Sequence, residues 1–219
     1  MIISRRNLMS WGAGFAGAGA LGAGHLVRAA DKATAADDAS PFRVESFGRL
    51  AQPKKLPDLS VQNEQGEAVP LTHWVGRPFI LHFWATWCGP CKFELPSVDA
   101  TAKALGSDGP AIVAVGVRKS TIPKIRAFYD AHGINTLPVL VDPDSQALTA
   151  SADVPAALAS LRQTSPDYKI PDEKAQSIAQ LAVPRSLVVN AKGEIVAISV
   201  GNMDWSPEAV RRTVAALVG

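Results

Sequence analysis

Three apolar runs along the chain predict strands of a single buried sheet. PFILHFWA at residues 78–85 and AIVAVGV at residues 111–117 are apolar at nearly every position, as is typical of strands covered on both faces. LPVLVD at residues 137–142 is the third such run. We therefore expect a central sheet with helices packed on both sides of it.

Shorter segments with alternating character predict hairpins. Residues 186–190 and 195–200 flank the turn sequence AKGE and predict an antiparallel pair of strands. Residues 59–71 contain a polar turn at 64–66 between two further short strands. This second hairpin precedes the first apolar run.

Helical segments fall between and after the strands. Ser206 is a good N-cap and Pro207 suits a first turn, so these residues predict a helix over residues 207–218. Further helices are predicted directly after Cys88 and over residues 122–132, 155–162 and 172–181.

The order of these elements predicts the fold class. Strand and helix alternate before a final hairpin and helix, which indicates an α/β fold: a three-layer α/β/α sandwich with an N-terminal β-hairpin. Residues 142–183, divided by prolines, are the least regular part of the pattern. This extended segment is either a structural embellishment or a surface that binds a partner.

The first 30 residues have the layout of an export signal. Arg5 and Arg6 give a positive start, a glycine- and alanine-rich apolar stretch follows, and small residues near Ala29 form a candidate cleavage site. Ser4 and the two arginines resemble the twin-arginine signal. The stretch is too weakly apolar for a stable membrane span, so anchoring would require an uncleaved signal. Residues 1–30 therefore predict export, by the twin-arginine route, to an oxidising periplasm.

Residues 31–56 are mixed in charge and, apart from a short strand near residues 42–47, predict a linker to a domain at residues 57–219. The net charge of +2 arises in the signal, which holds three of the 22 basic residues and no acidic one. The remaining 19 basic and 20 acidic side chains nearly balance. Nothing in this composition indicates a nucleic-acid partner.

The two cysteines of the chain, Cys88 and Cys91, stand one helical turn apart in the sequence WCGPC. A zinc site would need about four ligands, and neither another cysteine nor a suitably spaced histidine is present. A disulfide across two residues closes too small a loop to stabilise a fold much. The pair therefore predicts thiol–disulfide redox chemistry.

The place of the pair in the sequence assigns different tasks to the two thiols. Cys88 follows a buried strand and begins a helix, where free backbone N–H groups and the helix dipole favour its thiolate. Cys88 is therefore the predicted attacking thiol, and the more shielded Cys91 resolves the mixed disulfide. Gly89 permits close approach of a partner backbone, Pro90 fixes the turn, and Trp87 either shields the sulfur or simply packs beside it.

The segments PDLSVQNEQGEAVPL, HFWATWCGPCKFELP and AVPRSLVVNAKGEIVAISVG resemble the TlpA/ResA-like family of extracytoplasmic thioredoxins. The resemblance covers most of residues 57–219 and implies a thioredoxin-like fold. It also implies that Glu94 is an acid near the cysteines that assists their proton transfers, with a solvated helix glutamate as the alternative. It further implies a cis Val183–Pro184 peptide, where Val183 docks the substrate chain like an added strand and Pro184 keeps that edge near Cys88.

Two features depart from the family. Six residues before the first cysteine, where cytoplasmic thioredoxin has a buried aspartate and this family often an asparagine, the chain has His82. His82 either relays protons to Cys91 or is a core histidine satisfied by a backbone carbonyl. Its apolar neighbours Leu81 and Phe83 favour the core interpretation. The second departure is the segment 142–183, which is longer than the family's usual connection.

Together these features predict a periplasmic thiol–disulfide oxidoreductase that reduces protein disulfides, for example in cytochrome c or copper-site maturation, and is kept reduced by a membrane electron donor. Gly-Pro is the dipeptide of thioredoxin, whose potential is about −270 mV, against about −120 mV for the oxidant DsbA. No cofactor or metal is expected.

Two other functions stay open from the sequence. A copper-delivery module in a related fold would use a CxxxC pair and a distant histidine, for which His132 is the candidate. A thiol peroxidase of the peroxiredoxin type would have a threonine three residues before its reactive cysteine, whereas Thr86 lies two residues before Cys88.

Overall fold

A mixed sheet lies at the centre of the chain. The computed structural model describes residues 46–203 and 205–219, so the predicted export signal and most of the predicted linker lie outside it. The strands are β1 (Gly48–Lys55), β2 (Ser60–Gln62), β3 (Ala68–Pro70), β4 (Phe79–Trp84), β5 (Ala111–Val117), β6 (Val141–Asp142), β7 (Arg185–Val189) and β8 (Glu194–Val200). Across the eight-stranded sheet their order is β1-β8-β7-β4-β5-β6-β2-β3.

The helices connect and cover these strands. They are α1 (Gly89–Leu105), α2 (Ile122–His132), α3 (Gln146–Ala150), α4 (Val154–Thr164), α5 (Asp172–Leu181) and α6 (Pro207–Val218), with a short 3₁₀ turn at Leu71–Trp74. None of the helices in residues 46–203 and 205–219 is long and apolar enough to cross a bilayer.

Different helices cover the two faces of the sheet. On β4, His82 and Trp84 share one face, where His82 lies beside α1 and Trp84 stacks on Tyr129 of α2 with 5.9 Å between ring centroids. Arg185 of β7 is paired opposite Phe83 and so shares the other face, where its guanidinium donates to carbonyls at the end of α5. The predicted three-layer α/β fold is therefore confirmed.

Most predicted elements have the expected bounds, but the run at residues 137–142 does not. Only Val141–Asp142 form a strand, β6, although the carbonyl oxygen of Leu140 also accepts the N–H of Gly116 at 2.9 Å. Pro138 has no N–H to donate to a ladder. The N–H of Leu137 donates instead to the Asp99 carboxylate of α1, at 2.9 Å. The prediction of a strand over residues 137–140 is therefore wrong.

The linker prediction is also wrong for residues 48–55, which form the edge strand β1 and pair antiparallel with β8. The strand begins at Gly48. Of the short strand predicted near residues 42–47, residues 46 and 47 are not in strand, and 42–45 lie outside the described residues. No continuous apolar or alternating pattern marks this strand in the sequence, because several of its positions are exposed and its pairing with β8 is interrupted between Arg49 and Lys54.

The segment 142–183 is built into the domain. It contains α3, which the sequence did not indicate, as well as the two expected helices. The buried Asp142 carboxylate caps α3 by accepting the N–H groups of Gln146, Ala147 and Leu148 at 2.9–3.1 Å. In α4, the Ser160 hydroxyl accepts the N–H of Val200 at 2.9 Å. These contacts show a structural role for the segment.

The close approach of β1 to α4 gives a test of the domain boundary. A Cβ atom at Gly48 would lie 1.8 Å from the carbonyl oxygen of Ala156, so Gly48→Ala must push β1 and α4 apart. We expect it to lower the free energy of unfolding by about 1–3 kcal/mol, as overpacking does. The control, Gln52→Ala at an exposed position of β1, should change it by less than about 0.5 kcal/mol. Equal urea midpoints for the two variants would show that β1 is not docked.

Candidate active site

The two cysteines lie at the start of α1 and form a disulfide. Cys88 is the N-cap residue, and the Cys91 N–H donates to its sulfur at 3.2 Å. Cys88 is 5% exposed and Cys91 is fully buried. Because a partner can reach only the first sulfur, this arrangement favours Cys88 as the attacking thiol and Cys91 as the resolving one.

The loop before β7 borders the reactive sulfur. The Val183–Pro184 peptide is cis, as the family resemblance implied. The carbonyl oxygen of Val183 lies 3.8 Å from Sγ of Cys88. The loop also lines a groove of about 400 Å³ that begins at Pro90 and continues along α4 and α5 past Tyr168. The segment 142–183 therefore forms part of the surface next to the disulfide.

Trp87 directly precedes Cys88 and is not part of the lining of this groove. The residue is 51% exposed. Its Nε1 donates to the carbonyl oxygen of Arg118 at 2.6 Å, and the Arg118 guanidinium lies 5.2 Å from the ring centroid. The space beside Gly89 is open, since a Cβ there would meet nothing within 4 Å. A partner backbone could approach along this open side.

Glu94 is buried on α1 and is not a solvated helix residue, being only 2% exposed. Its Oε2 accepts the N–H of Met203 at 2.9 Å and the indole N–H of Trp205 at 3.3 Å. Its Oε1 lies 3.5 Å from Nε2 of His82. On the far side of that ring, Nδ1 lies 3.0 Å from the Ser186 hydroxyl. The structure thus brings together two residues that the sequence singled out separately.

Burial moves the two pKa values of this pair in opposite directions. Desolvation raises the pKa of Glu94 to about 7, although the N–H groups of Met203 and Trp205 oppose the shift. Desolvation lowers the pKa of His82 to about 3. Near neutral pH His82 is therefore neutral, and a protonated Glu94 can donate to Nε2, which has no other partner among the described residues. The pair can hold one proton and release it near neutral pH.

The core interpretation of His82 is right about burial, but the partner is not a backbone carbonyl. The ring lies between the Ser186 hydroxyl and Glu94, with the Trp205 ring edge-on at 5.4 Å. A role of His82 in relaying protons to Cys91 stays a prediction.

Sequence reasoning missed several residues of the site. Met203 and Trp205 reach Glu94 from more than 100 residues away along the chain. Arg185 is fully buried, and its guanidinium donates to the carbonyl oxygens of Ala179 and Gln180. A basic residue directly before the strand predicted at residues 186–190 was the one sequence signal for that contact.

Comparisons with known proteins agree with this geometry. The model of the AhpC/TSA family matches residues 53–198. The chain is 28% identical over 157 residues to the thiol-disulfide oxidoreductase ResA of Bacillus subtilis, covering 72% of each protein. It is 34% identical over 95 residues to the thioredoxin-like protein YneN of the same organism, spanning 42% of this chain and 55% of YneN.

A solved structure supports the fold. The thiol:disulfide interchange protein of the thioredoxin family from Chlorobium tepidum superposes with a TM-score of 0.51 at 22% identity, covering 78% of this chain and 99% of that one. The implied thioredoxin-like fold is confirmed by this likeness.

The Glu94–His82 pair predicts a distinctive pH dependence of stability. The folded protein retains the Glu94 proton between about pH 4.5 and 7, so this group's contribution to stability falls as pH rises. Between about pH 3 and 6.5 His82 is protonated in the unfolded chain but neutral in the folded protein, so its contribution to stability rises with pH. The two slopes oppose each other between about pH 4.5 and 6.5. Glu94→Gln removes the falling part, so relative to wild type its stability should climb by about 1.4 kcal/mol per pH unit there.

Urea unfolding of the oxidised protein at several pH values measures this slope. Glu173→Gln, an exposed substitution on α5, serves as the control and should run parallel to wild type. If Glu94→Gln also ran parallel to wild type, the shared-proton description of the pair would be wrong.

Proposed function

This chain belongs to the AhpC/TSA family and is a thiol–disulfide oxidoreductase of the ResA kind, and from that premise we propose that it reduces disulfides of exported proteins. The observation that carries the proposal is the unequal exposure of the two sulfurs at the start of α1, beside the Val183 carbonyl. One thiol can meet a protein disulfide, while the other is kept for the second step.

In the reductive reaction the chain begins as a dithiol. The Cys88 thiolate attacks one sulfur of the partner's disulfide, which breaks that bond, forms a mixed disulfide and releases the first partner thiolate. The Cys91 thiolate then attacks Sγ of Cys88 and releases the second partner thiolate. Two electrons pass from the cysteine pair to the partner, the partner's sulfurs take up two protons, and the Cys88–Cys91 disulfide is formed.

Glu94 is suited to the second step. It lies three residues after Cys91 on α1, and residues at that spacing share a helix face. A group with a pKa of about 7 is an effective general base near neutral pH. We assign to Glu94 the acceptance of the Cys91 proton, and to His82 the positioning of the carboxyl group from the opposite side.

The partner would bind along the loop before β7. Val183 would pair with its backbone as an added strand does, and Pro184 would hold that edge near Cys88. The groove next to Pro90, Val183 and Pro184 is open to the surface and supports this placement. Side chains of the partner would then lie along α4 and α5.

The location follows from the N-terminal sequence. Arg5 and Arg6 in a signal of the twin-arginine pattern direct the chain to the periplasm, where the environment is oxidising. A reductase there becomes oxidised at each turnover, so it requires an electron donor, which we place in the membrane. Such a reductase would supply processes that consume reduced thiols in that compartment, such as the maturation of cytochrome c or of a copper site.

A trapping experiment tests the assignment of the two thiols. Cys91→Ser should accumulate mixed disulfides with a defined disulfide protein such as insulin, because the resolving thiol is gone. Cys88→Ser should accumulate none, since Cys91 is buried. Non-reducing electrophoresis after alkylation measures both. Equal trapping by the two variants would refute the assignment.

The redox potential tests the direction of the reaction. With Gly89-Pro90 between the cysteines, we expect a value closer to about −270 mV than to about −120 mV. Equilibration in dithiothreitol buffers, followed by the fluorescence of Trp87 next to the disulfide, measures it. A potential near that of DsbA would make the chain an oxidant and overturn the proposed reductase role.

A further inference from the structure

A basic cleft opens on the Trp87 side of Cys88. It has a volume of about 830 Å³ and shares no lining residue with the groove along α4 and α5. Its apolar floor is formed by Trp87, Ala127 and Phe128. Its cations are Lys92, Arg118, Lys119 and Lys124.

These four cations are exposed, and none has an acidic partner among the described residues. The Arg118 guanidinium does lie over the Trp87 ring and donates to the carbonyl oxygen of Leu181 at 3.4 Å. None of the described residues that line the cleft carries a carboxylate. Arg126 lies on α2, as Lys124 does, but its charge is paired: it makes a bidentate contact with the Glu64 carboxylate at 2.6–2.7 Å. The positive potential of the cleft is therefore available to a ligand.

The backbone holds two of these cations in an uncommon conformation. Arg118 and Lys119 are consecutive and both left-handed, with φ of 50° and 65°. Non-glycine residues adopt this conformation rarely, and such residues often mark binding sites. Two hydrogen bonds hold this turn in place. The N–H of Arg118 donates to the Ser145 hydroxyl at 3.1 Å, and the carbonyl oxygen of Arg118 accepts the indole N–H of Trp87.

We propose that the basic cleft binds an acidic segment of the disulfide-bearing partner, next to the cysteine that Cys88 attacks. The inference rests on the proposed function. Trp87 directly precedes Cys88 and Lys92 follows it by one helical turn, so a partner chain that leaves Cys88 on this side would meet the cations of the cleft. Acidic side chains would bind the cations, and their methylene groups would lie on the Trp87 and Phe128 rings.

The test compares two peptides that share one Cys-Xaa-Xaa-Cys disulfide ring. One carries four glutamates divided between its flanks and the other four glutamines. The fully reduced chain is mixed with each peptide, and the second-order rate constant of disulfide reduction is measured at about 20 mM salt. At that ionic strength exposed charges still interact over more than 10 Å.

Wild type should reduce the glutamate peptide about tenfold faster than the glutamine peptide, since several exposed ion pairs each add a small factor. The preference should vanish at about 1 M salt. In Lys119→Gln/Lys124→Gln it should fall to about threefold or less. The matched control, Lys103→Gln/Lys192→Gln, removes the same charge from exposed positions outside the cleft and should keep the full preference.

The outcomes separate this inference from the proposed function. Failure of all versions to reduce even the glutamine peptide would count against the proposed reductase. Reduction of both peptides at equal rates, or an undiminished preference in Lys119→Gln/Lys124→Gln, would overturn the cleft proposal alone. Oxidised glutathione is measured as a third substrate. If Lys119→Gln/Lys124→Gln slowed only its reduction, the cleft proposal would also be overturned, since the cleft would then bind a small anion.

Discussion

The burial of Glu94 is the constraint on which the site depends. Its carboxyl group joins three separate parts of the chain: α1 itself, the segment before α6 through Met203 and Trp205, and β4 through His82. Burying an ionised carboxylate costs several kcal/mol unless it is paired, and its neighbour His82 is equally buried. A neutral His82 beside a protonated Glu94 avoids this cost, because neither group then carries a charge. The same desolvation that opposes charge brings the pKa of Glu94 to about 7, where proton transfer is useful.

The sequence predicts elements that are marked by a local pattern, and it does not predict contacts between residues that are far apart along the chain. The bounds of α2 and α6 follow from prolines in the first turn and from neighbouring residues, so the pattern located them. The reactive pair is equally local. The contacts of Glu94 with Met203 and Trp205 depend on how α6 returns to α1, and no local pattern records that. The strand β1 was missed for a related reason: it is formed by pairing with β8, which is distant in sequence, and has no strand pattern of its own.

Arg185 connects the extended segment 142–183 to the reactive loop. A fully buried guanidinium would be costly without partners, and two carbonyl oxygens at the end of α5 supply them. The negative end of the α5 dipole adds to this attraction. Because Arg185 directly follows Pro184, α5 is fixed to the residue beside Cys88. The segment for which the sequence left open an embellishment or a partner-binding surface therefore lines the groove next to the disulfide.

The two sides of Cys88 can contribute to recognition in different ways. Backbone pairing at Val183 would accept almost any extended chain, because main-chain hydrogen bonds carry no information about side chains. The basic cleft around Arg118 and Lys119 would add a preference for charge, which acts mainly on the rate of encounter and on the choice of partner. Trp87 connects the reactive cysteine to the cleft, since it directly precedes Cys88 and its N–H donates to the carbonyl of Arg118. In such an arrangement, general chemistry at the disulfide would be combined with selection of partners by a surface that takes no part in the chemistry.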